Sequence, residues 1–138
     1  MIVRTLDELI GTARDTVAKT WRSRRLLLAG DGVGFSLHDT LIYAGTETLI
    51  WYKHHVEAVY CIEGEGEVEE TVSGKIHQIR PGTLYTLNGH ERHLLRATRT
   101  LRLICVFTPA LTGGEVHDAH GVYPAAQNAR ESETTSTR

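Results

Sequence analysis

From residue 25 onward the chain is a series of short, apolar-rich runs, each stopped by a turn that carries glycine, proline or asparagine. The runs cover 25–29, 35–43, 48–62, 65–72, 75–79, 83–87, 93–97 and 101–108. The breaks read Gly30-Asp31-Gly32, Ala44-Gly45, Gly64, Ser73-Gly74, Pro81-Gly82 and Asn88-Gly89. Such residues supply the positive φ and preset bends of tight turns, and the β-branched and aromatic side chains between them suit a pleated surface. Short strands with short connections leave a sandwich or a barrel. A chain of 138 residues holds one such domain and little else.

Only the N-terminus departs from this pattern. Thr5-Leu6-Asp7-Glu8 has the form of a capping box, and Leu6, Leu9, Ile10, Ala13 and Val17 follow at helical spacing. One short helix ending before Trp21 is expected. At the other end, 125–138 has no large apolar side chain and is rich in Ser, Thr and Glu, the composition of a disordered tail. The expected organisation is one all-β domain over 1–124 with a short N-terminal helix, followed by the tail over 125–138.

A formal net charge of -2 gives no electrostatic footprint for nucleic acid or an anionic membrane. The basic run Arg22, Arg24, Arg25 reads as a solvated edge rather than a phosphate groove. No stretch approaches the roughly 18 apolar residues of a membrane span, and the first residues lack the basic and apolar regions of a signal peptide. The two cysteines, Cys61 and Cys105, sit in apolar runs and suggest no disulfide framework. A reduced, cytoplasmic protein is the expectation.

The chemistry lies in the polar residues of the strands. In an extended run Trp51, Lys53, His55, Glu57, Val59 and Cys61 share one face. A carboxylate at Glu57, bracketed by apolar residues, is costly to bury without a cation or a hydrogen-bond donor. Tyr85 and His93 flank the Asn88-Gly89 turn, which predicts neighbouring strands a few ångströms apart. Glu57, Tyr85 and His93 together offer two oxygens and a nitrogen, suited to a hard-to-borderline ion such as iron, with positions left for water or substrate. The same residues also permit a Glu57–His93 ion pair with Tyr85 packed in the core.

The spacing Gly45, Trp51, Lys53, Glu57, Gly64 resembles the first cupin motif, with Trp51 and Lys53 at its two histidine places. Gly82 and His93 match the ends of the second motif, with Asn88 and His90 where its proline and second glycine belong. A cupin-type β-barrel is the fold this implies.

Up to about Pro124 the whole chain is similar to the ectoine synthase family, cupin enzymes that close the ring of a compatible solute. The likeness rests on Trp21-Arg22-Ser23-Arg24-Arg25-Leu26-Leu27-Leu28, Phe35-Ser36-Leu37-His38-Asp39-Thr40 and Tyr52-Lys53-His54-His55-Val56-Glu57-Ala58-Val59-Tyr60-Cys61-Ile62. It continues in Ile79-Arg80-Pro81-Gly82-Thr83-Leu84-Tyr85 and Pro109-Ala110-Leu111-Thr112-Gly113-Gly114-Glu115-Val116-His117-Asp118. The resemblance implies iron(II) on Glu57, Tyr85 and His93, and a homodimer active under osmotic stress. It implies a substrate pocket of Trp21, Arg25, Thr40, Tyr52, Cys105, Phe107, Glu115 and His117. It also implies the substrate, N-γ-acetyl-L-2,4-diaminobutyrate, which loses water to form ectoine.

Within that reading Arg25 matches the substrate carboxylate, Trp21 and Phe107 wall the pocket, and Glu115 and His117 move protons, with Tyr52 or His55 next in line as base. His38 has no assigned role. The rival readings are a non-catalytic sensor or storage barrel and an iron dioxygenase. Against the first, the 138 residues carry no DNA-binding segment. Against the second, the histidine places of the first motif are empty. Because 125–138 has nothing apolar to bury, its removal leaves turnover and melting temperature close to those of the full chain. Activity assays and thermal melts of the two lengths check this, and a large drop in either shows that the segment closes the pocket or an interface.

Overall fold

The computed structural model describes residues 1–114, so the expected tail over 125–138 lies outside the described residues. The elements run α1 (Leu6–Leu9), β1 (Asp15–Val17), β2 (Trp21–Leu27), β3 (Ser36–Ile42), β4 (Glu47–Ile50), β5 (Val56–Glu70), β6 (Ile76–Ile79), β7 (Leu84–Leu87) and β8 (His93–Thr108). The capping box forms as expected: Thr5 Oγ1 accepts from Glu8 N at 3.4 Å, and Glu8 Oε2 accepts from Thr5 N at 3.3 Å.

The helix is shorter than its spacing predicts. It stops at Leu9, Gly11 turns the chain at φ 77°, and Asp15–Val17 is a strand. The competing interaction is visible. The Asp15 carboxylate accepts Gly11 N–H at 2.9 Å and takes a two-point contact from Arg22 at 2.8 and 2.7 Å across the β1–β2 pair. This tertiary pairing outweighs the weak propensity of a helix too short to sustain itself.

The strands form one antiparallel sheet in the order β1-β2-β3-β8-β5-β6, with β4 on β8 and β7 on β5, and its hydrogen bonding does not close on itself. The all-β expectation holds, as an open, folded-over sheet. Its spine is the pair β5–β8, whose strands run 15 and 16 residues. Residues 101–108 of β8 lie between β3 and the first part of β5, whereas 93–96 lie between β4 and the last part of β5. Each long strand thus serves both halves of the sheet, bending where its register slips between Cys61 and Gly66. The sequence had marked separate strands at 48–62 and 65–72, and at 93–97 and 101–108. Gly64 and the residues between Ala97 and Leu101 are bends inside continuous strands.

The core between the two halves contains Val59, Cys61, Val68, Ile79, Leu95, Leu101, Leu103 and Phe107. The basic run is neither a solvated edge nor a phosphate groove. Arg22 holds Asp15, Arg24 Nη2 donates to Asp39 at 2.5 Å, and Arg25 is wholly buried. Among the described residues no helix is long and apolar enough to cross a membrane.

Gly64 has φ 92°, and a Cβ there would run into the backbone of Thr100 and Leu101 on the partner strand. Gly64→Ala therefore combines a left-handed backbone with overpacking. It is expected to destabilise the protein by about 3 kcal/mol and lower the melting temperature by roughly 6–12 °C, read by thermal denaturation.

Candidate active site

Strand pairing arranges the inner face in rows. Trp21, Ile42 and Leu101 lie opposite one another across β2, β3 and β8. Next come Ser23, Thr40, Leu103 and Cys61, then Arg25, His38, Cys105, Val59 and Tyr85. The last row is Ser36, Phe107, Glu57 and Leu87. Directly opposed residues share a face, so each row points inward as a unit. Between the halves of the sheet lies a cavity lined by Trp21, Thr40, Tyr52, Glu57, Tyr85, Cys105 and Phe107 among others.

Glu57 is 5% exposed, and burial pushes its carboxyl up to about 8, opposed by a hydrogen bond from the Cys105 thiol. Burial, then the nearby Glu57 charge, holds the Tyr85 phenol well above its ordinary value. His93 is buried and its pKa is lowered, chiefly by desolvation, so it is neutral at pH 7. Its Nδ1–H donates to the Glu91 carbonyl at 2.9 Å, while Nε2 is buried with no hydrogen-bond partner. That bond fixes the tautomer and leaves a lone pair on Nε2. The alternative Glu57–His93 ion pair is not formed. The rings of Tyr85 and His93 meet edge-on with centroids 6.5 Å apart. Among the described residues no three His, Cys, Asp or Glu side chains converge. The mixed set of carboxylate, phenol and orphaned imidazole nitrogen nevertheless fits a divalent transition-metal ion.

The family model described as ectoine synthase matches residues 1–127. The chain is 60% identical over 126 residues to an L-ectoine synthase of Desulfatibacillum aliphaticivorans, covering 90% of this chain and 97% of that one. It is 59% identical over 124 residues to that of Thermobifida fusca, covering 90% and 92%. The crystal structure of ectoine synthase from P. lautus superposes with TM-score 0.83 at 59% identity, covering 93% of this chain and 95% of that one. The chain belongs to the ectoine synthase family. Like its relatives it is an enzyme, a hydro-lyase acting on a small molecule. An RmlC-like cupin from Shewanella frigidimarina, 19% identical with TM-score 0.58 over 70% of this chain and 82% of that one, shares the fold alone.

Against this family background the sequence-derived residues divide into four groups. Trp21, Thr40, Tyr52, Cys105 and Phe107 line the cavity with Glu57 and Tyr85. His93 lines a neighbouring cavity with Glu70, His77 and Glu91, and Tyr85 borders both. Arg25 is wholly buried and absent from the cavity wall, its Nη1 donating to the Gly113 carbonyl at 2.8 Å. Glu115 and His117 lie outside the described residues.

Two lines of the sequence reasoning are corrected. Residues 51–55 are not strand, so Trp51 and Lys53 do not continue the inward face of Glu57; Lys53 is exposed, with Nζ 4.1 Å over the Trp51 ring. The chain is redirected there because Trp51 Nε1 donates to the His90 carbonyl at 3.0 Å and His90 Nδ1 bonds the Tyr52 carbonyl at 2.9 Å. Tyr85 and His93 are not on paired strands either: β7 pairs β5, whereas His93 sits opposite Ile50 and Glu70. Their proximity comes from the loop between β7 and β8 passing from one half of the sheet to the other. The sequence reading gave no role to Ser23 or His38, both on the cavity wall. Alternation with Thr40 along β3 was the signal that could have found His38.

In metal-free protein the raised Glu57 carboxyl has a definite consequence. The folded state keeps this proton between about pH 4.5 and 8 while the unfolded state releases it. The contribution of Glu57 is thus full below pH 4.5 and lost as pH rises toward 8, by up to about 1.4 kcal/mol per pH unit. Denaturant unfolding of chelator-treated protein at pH 5, 6.5 and 8 should show this decline, and Glu57→Gln should flatten it. Equal slopes for the two proteins overturn the assignment.

Proposed function

We propose that this enzyme makes ectoine by cyclising N-γ-acetyl-L-2,4-diaminobutyrate, with iron(II) held by Glu57, Tyr85 and His93, as a cytoplasmic homodimer. The observation that carries the reading is the cavity itself. Its wall holds a buried carboxylate and a phenol, the phenol also borders the space lined by an imidazole with an open lone pair, and Trp21, Tyr52 and Phe107 supply apolar walls.

In the reaction the substrate's α-amino nitrogen attacks the acetamide carbon five bonds away, closing a six-membered ring. A C–N bond forms, the C–O bond breaks, and both hydrogens of the neutral amine leave with the oxygen as water. Iron(II) held by Glu57, Tyr85 and His93 would supply Lewis acidity toward the acetamide, a contribution of several kcal/mol. The residues of the chain do the rest. A cavity this confined favours the folded-back conformer in which amine and carbonyl meet. The aromatic walls exclude bulk water, which would otherwise hydrolyse the amide. Arg25 supplies positive charge at the carboxylate end. Glu115 and His117 take the ammonium proton and help release the oxygen, with Tyr52 in reserve as base. Thr40 and the Cys105 thiol lie in line with Glu57 and orient its carboxylate.

Purified protein given iron(II) and the acetylated diamino acid should form ectoine equally with and without oxygen; an oxygen requirement favours a dioxygenase, and ligand binding without turnover a sensor. Glu57→Ala and His93→Ala should lose most iron by elemental analysis together with activity, while circular dichroism stays native. Glu115→Ala and His117→Ala should each lower turnover by roughly 10²- to 10⁴-fold at wild-type iron content. Stoichiometric iron in Glu57→Ala removes the metal assignment, and iron loss in either of the last two moves that residue into the metal site.

A further inference from the structure

The loop between β2 and β3 carries a charged cluster that the mechanism above does not use. Asp31 stands in a short 3-10 turn, Ala29–Asp31, and its side chain is only 9% exposed. Two arginines from the N-terminal segment grip its carboxylate. Arg4 donates from Nη1 at 3.1 Å and from Nη2 at 2.8 Å, and Arg14 from Nη1 at 3.1 Å and from Nη2 at 3.3 Å. The Leu28 N–H is a third donor, 2.9 Å from Oδ2. Together these donors, Arg4 first, hold the carboxyl well below its ordinary value. The same arginines also hold the end of β2. Arg4 Nη1 donates to the Leu26 carbonyl at 2.8 Å, and Arg14 Nη1 to that of Arg25 at 3.4 Å. A lone surface pair contributes little, but a carboxylate with this many charged and backbone donors is fixed in place.

The clamped stretch in turn supports another part of the chain. After β8 the chain returns past the turn as a strap, residues 109–114. The Ala29 N–H donates to the Leu111 carbonyl at 2.8 Å, and the Leu111 N–H donates to Ser36 Oγ at 3.1 Å. Leu111 itself is wholly buried. Arg25 Nη1 donates to the Gly113 carbonyl at 2.8 Å, and Gly113 lies so near Leu28 that an added Cβ would come within 3.1 Å of its Cδ1. The strap thus rests on Arg25, Leu28, Ala29 and Ser36, three of them in the stretch 25–31 that Arg4 and Arg14 clamp. Glu115 and His117 follow the strap directly. A reacting group misplaced by about 1 Å can cost roughly 100-fold in rate, so an anchor at the base of this segment acts on turnover.

We propose that Asp31 is a positioning residue: held by Arg4 and Arg14, it fixes the turn that seats the 109–114 strap and so places Glu115 and His117. Its effect on turnover rests on the proton-transfer roles proposed for those two residues; the seating of the strap does not.

Turnover of N-γ-acetyl-L-2,4-diaminobutyrate by wild type, Asp31→Asn, Arg4→Gln, Glu115→Ala, His117→Ala and the double variant Asp31→Asn/His117→Ala tests this. Iron content, circular dichroism and hydrogen exchange of peptides spanning 27–31 and 109–114 are read alongside. Asp31→Asn keeps the shape but loses the charge, and kcat should fall roughly 10- to 100-fold. Iron should be retained, because Glu57, Tyr85 and His93 stand on β5, β7 and β8. Exchange over 109–114 should quicken roughly 10-fold or more. Because Asp31 acts through the residues after the strap, its substitution should slow His117→Ala by a much smaller factor than it slows wild type. An unchanged kcat in folded Asp31→Asn, a loss of iron, unchanged exchange over 109–114, or an equal factor in both backgrounds overturns the proposal. Should Asp31→Asn fail to fold, Arg4→Gln, which leaves Arg14 in place, decides: a several-fold lower kcat with faster exchange supports the clamp, and a wild-type value of either removes it. If wild type turns over none of the substrate, or Glu115→Ala and His117→Ala keep its rate, the reaction or those roles are wrong and exchange alone decides. Quickened exchange in Asp31→Asn then upholds the seating of the strap, and unchanged exchange removes it.

Discussion

The antiparallel pairing of β5 with β8 is the constraint on which the rest of the structure depends. Both strands are long enough to belong to two halves of the sheet, and both bend near the same place, β5 at Gly64 and β8 near Thr100. Without that shared bend the sheet would be a flat ribbon with one wetted face. With it, β3, β8, β5 and β7 face β4 and the distal parts of the long strands across a common core, and a cavity exists to be lined. The missing Cβ at Gly64 lets one backbone pass the other at that corner, which ties a single glycine to the shape of the site.

Once the rows are in register, the electrostatics of the interior follow from desolvation. Glu57, Tyr85 and His93 all have their charged forms penalised by burial, so the site without a cation is a set of neutral groups. A cation held there would reverse that balance for the two oxygens, because its charge would replace the lost hydration. Holding such groups in a core is unfavourable for folding. The surrounding apolar rows, with Leu101, Leu103 and Val59 almost completely buried, supply the compensating burial.

The outer face of the same strands solves a different problem. Alternation that points Arg25 and His38 inward points Arg24 and Asp39 the other way. Asp39 is 3% exposed and held by Arg24 and Arg102, whose guanidinium groups keep its carboxyl below its ordinary value although burial opposes them. This three-residue network joins β2, β3 and β8, the strands that carry Arg25, His38 and Cys105, and removing one member would leave an uncompensated charge behind them. The inner residues are thereby fixed from the far side of the sheet.

The sequence by itself determined the fold class, the positions of most turns, the capping box and the inward face of β5 from Glu57 to Cys61, because each depends on local pattern: turn chemistry, period-two alternation, one cap. It also carried the family, through long runs of matching residues. Tertiary structure decided the rest. Asp15–Val17 is strand rather than helix because Asp15 finds Arg22 across the sheet, an interaction no local window contains. Tyr85 meets His93 through a loop that crosses between the halves of the sheet, not through a hairpin. Trp51 and Lys53 leave the inner face because the β7–β8 loop seizes the chain at Trp51 and Tyr52. His38 meets Ser23 at 2.9 Å only because the β2–β3 register brings the two strands side by side.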